Sequence, residues 1–174
     1  MPFRYQKKVN SDDHGQVAIF EEYLRRRGLK LTKARRDLLD VVFSNHAHFT
    51  ADELFDQCRQ AKLRVSKATV YRTLGILLEC RLLGSHDFGE GSRFYEHIYG
   101  HSHHDHFFCL VCKKIVEFRS ERIESLQDEA ANELGFVTVR HALSVYGICS
   151  ACKESPEAKR LLAQRDQHVD SAED

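Results

Sequence analysis

Two Cys-x-x-Cys pairs, Cys109/Cys112 and Cys149/Cys152, lie in the second half of this 174-residue chain, with 36 residues between them. Just before the first pair runs His101-Ser-His-His-Asp-His106, four histidines and an aspartate in six residues. Thiolates and imidazoles at such density are metal ligands. A Cys-x-x-Cys turn sets two sulfurs on one ion, and zinc takes four ligands in a tetrahedron, so the two pairs predict one closed zinc site. Four thiolates leave no coordination position open, which makes that site structural rather than catalytic. Cys58 and Cys80 fall in helical patterns and read as core residues.

The histidine run carries a second chemistry. If residues 103–106 are extended, side chains alternate in direction. His104 and His106 then share one face, and His103 and Asp105 share the other. One strand thus feeds two sites, each needing ligands from elsewhere. Glu117, Glu124 and His141 are candidates in the second half, and His48 and Glu96 in the first. Imidazole with carboxylate suits zinc, iron(II), manganese or cobalt better than calcium or magnesium. A site drawing on His48, Glu96, His104 and His106 would join the two halves of the chain. His46, His97 and His101 fit a solvated polar loop.

The elements that must position these residues follow from periodicity and caps. Residues 1–15 are polar and read as frayed. Val17 to Arg27 reads as a helix stopped by Gly28. Thr32 caps a second helix bearing Leu38, Leu39, Val42 and Phe43. Thr50-Ala-Asp-Glu53 is a capping box opening a third. Ser66 caps a fourth, Lys67 to Cys80, with an apolar stripe of Val70, Leu74, Leu77 and Leu78. Arg72 points away from that stripe and Tyr71 lies on its flank. Leu82–Asp87 and Ser92–Tyr95 form a hairpin around Gly89-Glu90-Gly91. Helices followed by such a hairpin outline a winged helix-turn-helix, with the fourth helix for the major groove.

The second half reads as β-β-α-β: His103–Val111, Lys114–Phe118, a helix from Ser120 through Leu134, and a long strand from Phe136 to Ile148. Such a unit buries little alone and needs a staple or a partner. The expected divisions are residues 1–96, 97–153 and a charged tail, 154–174, disordered or a loose helix around Ala158 to Leu162.

Net charge is zero, yet residues 1–84 carry 16 Lys+Arg against 10 Asp+Glu, and residues 85–174 the reverse, 10 against 16. A basic first half suits nucleic acid, and an acidic second half suits cations. No apolar run is long enough to span a bilayer, and the first residues lack a signal-peptide core, so a cytoplasmic protein without membrane contact is expected.

These residues match a known pattern. Gly28-Leu-Lys-Leu-Thr-Lys-Ala-Arg35, His48 to Leu54, Ala68-Thr-Val-Tyr-Arg-Thr-Leu74, His103 to Cys109, Cys112, Glu117-Phe118 and His141 to Cys152 resemble the ferric uptake regulator family of bacterial metal-dependent repressors. The resemblance implies an α+β chain, an N-terminal winged helix-turn-helix followed by a small α/β dimerisation domain. It implies structural zinc at Cys109, Cys112, Cys149 and Cys152, and a regulatory hinge site at His48, Glu96, His104 and His106 with Glu117 nearby. His97 is the alternative to Glu96, since the spacing from Glu96 to His104 is one residue longer than usual. It further implies a dimerisation-domain site at His103, Asp105, Glu124 and His141, and DNA contacts from Lys30, Arg35, Tyr71 and Arg72. Peroxide-sensing members place Asp at the positions of Glu96 and Glu117, and zinc-sensing members place Cys or another His in the hinge set.

The expected function is therefore a homodimeric, iron-responsive repressor of iron-acquisition genes that binds double-stranded operator DNA. Iron(II) is the expected regulatory ion, replaceable by manganese, zinc or cobalt. Peroxide, zinc or manganese sensing are the alternatives within the family. A zinc hydrolase is the rival from another class, but no His-Glu-x-x-His or His-x-Glu signature is present, so no enzyme is expected. A metal store would not need an arginine-bearing exposed helix.

Overall fold

The fold was obtained as a computed structural model that describes residues 15–89 and 91–170, the last six by their backbone alone. The expectations for residues 1–14, for Glu90 at the hairpin turn and for residues 171–174 lie outside the described residues. The chain divides into two compact units, which meet in sequence between Ser102 and His103.

The N-terminal unit holds α1 (Gly15–Arg26), α2 (Lys33–Ser44), β1 (Phe49–Thr50), α3 (Ala51–Gln60), α4 (Lys67–Glu79), β2 (Leu83–Asp87) and β3 (Arg93–His97). Each boundary has a local cause. Leu29 N–H returns to Leu24 carbonyl at 2.8 Å, and Gly28 takes φ +67°, a left-handed exit that a side chain would oppose. Thr32 Oγ1 accepts from Arg35 N–H, and Ser66 Oγ from Thr69 N–H. At α3, Glu53 N–H donates to Thr50 Oγ1 at 3.2 Å while Thr50 N–H donates to the Glu53 carboxylate at 2.7 Å.

The apolar faces of all four helices meet in one core. Phe20 and Leu24, Leu38, Leu39 and Val42, Leu54 and Cys58, and Val70, Leu74 and Leu77 are buried there. β3 lies between β1 and β2, antiparallel to both, with Phe49 opposite Tyr95 and Gly84 opposite Glu96. Tyr95 and Phe49 face the helices, so strand alternation sends Glu96 to the other face of this small sheet. The cut expected after Glu96 does not hold, because β3 continues through His97.

The C-terminal unit holds β4 (Asp105–Cys109), β5 (Ile115–Phe118), α5 (Glu121–Glu133), β6 (Ser144–Gly147) and α6 (Pro156–Asp170). β4 is central, antiparallel to β5 and parallel to β6. The long strand expected over Phe136–Ile148 is reduced to four residues, Ser144–Gly147. Val137 and Val139 are 90% and 91% exposed, and among the described residues neither lies in a strand. Of the two expectations for the tail, the helix around Ala158 to Leu162 is the one observed, extended to Pro156–Asp170 as α6. Ser155 Oγ accepts from Ala158 N–H at 3.1 Å and Pro156 supplies the preset φ of a first helical residue. No helix among the described residues is long and apolar enough to cross a membrane.

Candidate metal centres and nucleic-acid face

Cys109 closes β4, Cys112 follows in the turn toward β5, and Cys149 and Cys152 follow β6. Because β6 lies beside β4 in parallel, with Gly147 opposite Cys109, both pairs arrive at the same end of the sheet. The four sulfurs lie within 4.8 Å of one another, with Cys112 Sγ and Cys149 Sγ 3.7 Å apart. A tetrahedral zinc with bonds of ~2.3 Å separates its sulfurs by about 3.8 Å, so the set fits zinc as it stands. Burial raises the Cys109 thiol, but backbone N–H groups of Cys149, Cys112 and Val111 aimed at its sulfur outweigh that and bring it down to about 6. Hydrogen bonding with Cys112 and Cys149, then burial, pushes Cys152 up to about 12. Four thiols thus crowd one small volume in which a divalent cation would deprotonate them all. Cys58 is buried in the N-terminal core, where desolvation raises its thiol, and Cys80 packs against the same core.

His103, Asp105, Glu124 and His141 form a second cluster within the C-terminal unit. His103 two residues before β4, the first residue of β4, α5 and the segment leading to β6 each contribute. His103 Nε2 is 3.4 Å from Asp105 Oδ1 and 3.7 Å from Glu124 Oε1. His141 Nε2 is 3.7 Å from Asp105 Oδ1 and 3.4 Å from Glu124 Oε2, and the two Nε2 atoms are 2.7 Å apart. An ion held at 2.0–2.1 Å in a tetrahedron spaces its N and O donors by about 3.3–3.4 Å, close to four of these five separations. Asp105 is 1% exposed. Its Oδ1 accepts from Leu143 N–H at 3.2 Å, but Asp105 Oδ2 and Glu124 Oε1 are buried without a hydrogen-bond partner. A buried carboxylate and a half-buried one, each with an oxygen in this condition, call for a cation.

The residues expected at the hinge divide between the units. In the N-terminal unit, Glu96 Oε2 is 3.4 Å from His48 Nε2, and Glu96 Oε1 is 2.6 Å from His86 Nε2. Glu96 is buried at 7% exposure, and the residue opposite it on β2 is Gly84. A β-carbon at Gly84 would stand 3.4 Å from Glu96 Oε1 and 3.0 Å from Ile98, so glycine gives the carboxylate its room. His86 was not foreseen. Its signal lay in the hairpin register: His86 opposes Phe94, which makes Glu96 its diagonal neighbour on the same face. His97, the expected alternative to Glu96, points to the opposite face and meets His46 instead, Nε2 to Nδ1 at 3.1 Å.

In the C-terminal unit, His104 and His106 stack edge to face with ring centroids 5.0 Å apart. His106 opposes Glu117 across β4 and β5, and His104 Nε2 lies 4.0 Å from Glu117 Oε1. This half-set is N,N,O in chemistry, and that of the N-terminal unit is also imidazole and carboxylate. Both suit iron(II), manganese, cobalt or zinc.

The basic residues converge elsewhere on the N-terminal unit. Lys30, Thr32 and Arg35, at the start of α2, and Thr69 and Arg72 of α4 line one groove of about 330 Å³. Arg35 Nη1 donates to the Lys30 carbonyl at 2.6 Å, which fixes the loop ahead of α2. Arg72 is exposed and Thr69, one turn before it, is half-buried, both away from the buried Val70–Leu74–Leu77 stripe. Tyr71 stands apart from the groove, about half exposed, its hydroxyl donating to Asp52 Oδ1 at 3.3 Å. Lys67, at the first turn of α4, pairs with the same Asp52 at 2.8 Å. Thr32 was not foreseen as a lining residue; it sits at the start of α2, where its capping role hid it.

A family model of ferric uptake regulators matches residues 26–146. The ferric uptake regulation protein of Campylobacter jejuni is 40% identical over 135 residues, 76% of this chain and 85% of that protein. Among solved structures, the Helicobacter pylori ferric uptake regulator, described with three functional metal binding sites, superposes with a TM-score of 0.75. It is 27% identical, and the match covers 87% of this chain and 99% of that one. The Francisella tularensis regulator, solved with iron, gives a TM-score of 0.68 at 30% identity, over 73% of this chain and 96% of that one. A model matched over more than half the chain, with a relative 40% identical over three quarters of it, leaves one conclusion: this chain belongs to the ferric uptake regulator family.

Proposed function

We propose that this protein is an iron-responsive repressor that binds operator DNA as a homodimer, with a regulatory ion clasping its two units. The observation that carries the reading is the division of one ligand chemistry between them. His48 and Glu96 sit on the N-terminal unit, and His104, His106 and Glu117 on the C-terminal unit. An ion bound by both half-sets supplies attraction between them and so favours the arrangement that completes its coordination. It biases that arrangement only by its differential affinity for it. His86, hydrogen-bonded to Glu96 Oε1, orients the carboxylate and leaves its Oε2 toward His48. Of the expected ions, iron(II) suits mixed imidazole and carboxylate donors, and the family is named for it. Cys109, Cys112, Cys149 and Cys152 hold structural zinc, and His103, Asp105, Glu124 and His141 hold a further ion within the dimerisation domain.

The dimer reading rests on surface. Phe107 and Val116 oppose each other across β4 and β5 and are 45% and 44% exposed. Tyr146 of β6, Phe136, Val137 and Val139 add to them, and α5 buries none of its residues. A soluble unit this small exposes such apolar area where a second copy covers it. On the N-terminal unit, α4 enters the major groove, with Arg72 reading a base or phosphate and Lys30 and Arg35 holding the backbone beside it. Tyr71 contacts a thymine methyl or a phosphate from the helix flank. Nothing in this arrangement requires catalysis, and its DNA partner places it in the cytoplasm.

Glu96→Gln tests the regulatory assignment. It keeps the shape and the contact with His86 but removes the charge. Iron(II) affinity is expected to fall by more than the roughly 10–100-fold that loss of an outer-shell partner alone costs. Anisotropy with a palindromic A·T-rich duplex should show the iron requirement shifted by the same factor, with far-UV circular dichroism unchanged. An unshifted iron requirement would remove Glu96 from the site.

A further inference from the structure

One cluster in the N-terminal unit remains outside the sets assigned above. His46 lies between α2 and β1, His97 ends β3, and His101 follows in the next loop. Each offers a ring nitrogen, and the three lie within 4.8 Å of one another. The ring of His97 is 4.5 Å from that of His101, edge to face, and 5.0 Å from that of His46. His97 is buried at 6% exposure, and its Nδ1 has no hydrogen-bond partner. This group occupies the face of β3 opposite Glu96, so it shares no ligand with the His48–Glu96 half-set.

We propose that His46, His97 and His101 form a further metal site, taking zinc through three imidazole nitrogens with a fourth position open to water. An all-imidazole donor set selects differently from the carboxylate-bearing sets. It favours zinc and its neighbours late in the first transition row over iron(II) or manganese. The His97–His46 nitrogen separation of 3.1 Å is close to the roughly 3.3–3.4 Å that tetrahedral zinc imposes on two nitrogens. A shared cation takes one ring nitrogen from each of the three histidines. Bound there, zinc restrains the segments that also carry His48 and Glu96, two residues and one residue away.

The test uses the full-length protein with zinc as the probe. His46→Ala/His101→Ala removes the two more accessible ligands and leaves the buried His97 in place. The wild type is expected to take up one more equivalent of zinc per chain than this double variant in a chelator-competition titration. Histidine ring ¹⁵N spectra of the wild type should show His46, His97 and His101 shifting together with that equivalent. Far-UV circular dichroism and thermal melting, read against the helices and separate core of the N-terminal unit, check that the variant is folded. Equal zinc uptake by a folded variant, or ring resonances of the three histidines unmoved in wild-type protein saturated with zinc, would overturn the proposal. The resonance measurement needs no variant, so it decides even if the double substitution misfolds.

Discussion

Replacing Cys112 with serine is expected to unfold the C-terminal unit and, with it, the dimer. That unit has little else to hold it. Its buried apolar residues are Phe108, Cys109 and Ala158, accompanied by the buried polar Asp105 and His106. Helix α5 buries nothing. Zinc at the four cysteines would join the end of β4 to the segment after β6, and structural zinc in small domains is worth roughly 10–16 kcal/mol of apparent binding energy. A domain's whole stability is about 5–15 kcal/mol, so loss of the ion cannot be absorbed. Serine keeps the size of the side chain but is a poor zinc ligand. Metal analysis should find one zinc fewer per chain, thermal melting should lose the transition of the C-terminal unit, and sedimentation should show monomer. The N-terminal unit, with Phe20, Leu24, Leu38, Leu74 and their neighbours in a core of its own, should keep its helical signal. A zinc-free variant that melts and dimerises like the wild type would show that the cysteine set is not structural.

The second large effect is at Arg72. Arg72→Ala should weaken binding to the specific duplex by roughly 1–3 kcal/mol, a factor of about 5–150. Arg72 is exposed on α4 and lines the groove with Lys30 and Arg35, so its removal leaves the core stripe intact. Unfolding midpoints should therefore stay put. The salt dependence separates two roles. If Arg72 reads a base, the loss appears on the specific duplex and is small on a scrambled one. If it holds a phosphate, both duplexes weaken alike and the log–log salt slope falls by about 0.9 for each phosphate released. Unchanged affinity on both duplexes would exclude Arg72 as a contact.

Local chemistry made much of this fold legible. The capping box at Thr50 and Glu53, and the caps at Thr32 and Ser66, fix three helix starts through side-chain bonds within three residues. The stripe on α4 and the alternation at residues 103–106 are single-element periodicities, and they set which side chains share a face. What depended on partners was less legible. Val137 and Val139 carry strand propensity, but propensity measures fit to a pleated neighbour and does not say whether that neighbour lies in the same chain. The charge of residues 154–170 left disorder and a short helix around Ala158 to Leu162 both open, although Ser155-Pro156 is a helix start in two residues. His86 and the His46–His97 pair were hidden because their neighbours come from other strands and loops. Their faces follow only once the hairpin register and the path of residues 45–48 are known.

The clasp between units is tested most directly by operator affinity as a function of one ion. Full-length protein with its cysteine zinc intact is stripped of exchangeable metal, then titrated anaerobically with a palindromic A·T-rich duplex, with and without iron(II). Iron-loaded protein should bind the palindrome far more tightly than stripped protein, and His104→Ala should remove the difference without changing the fold. Equal, sequence-selective affinity in the stripped and iron-loaded forms would contradict the account.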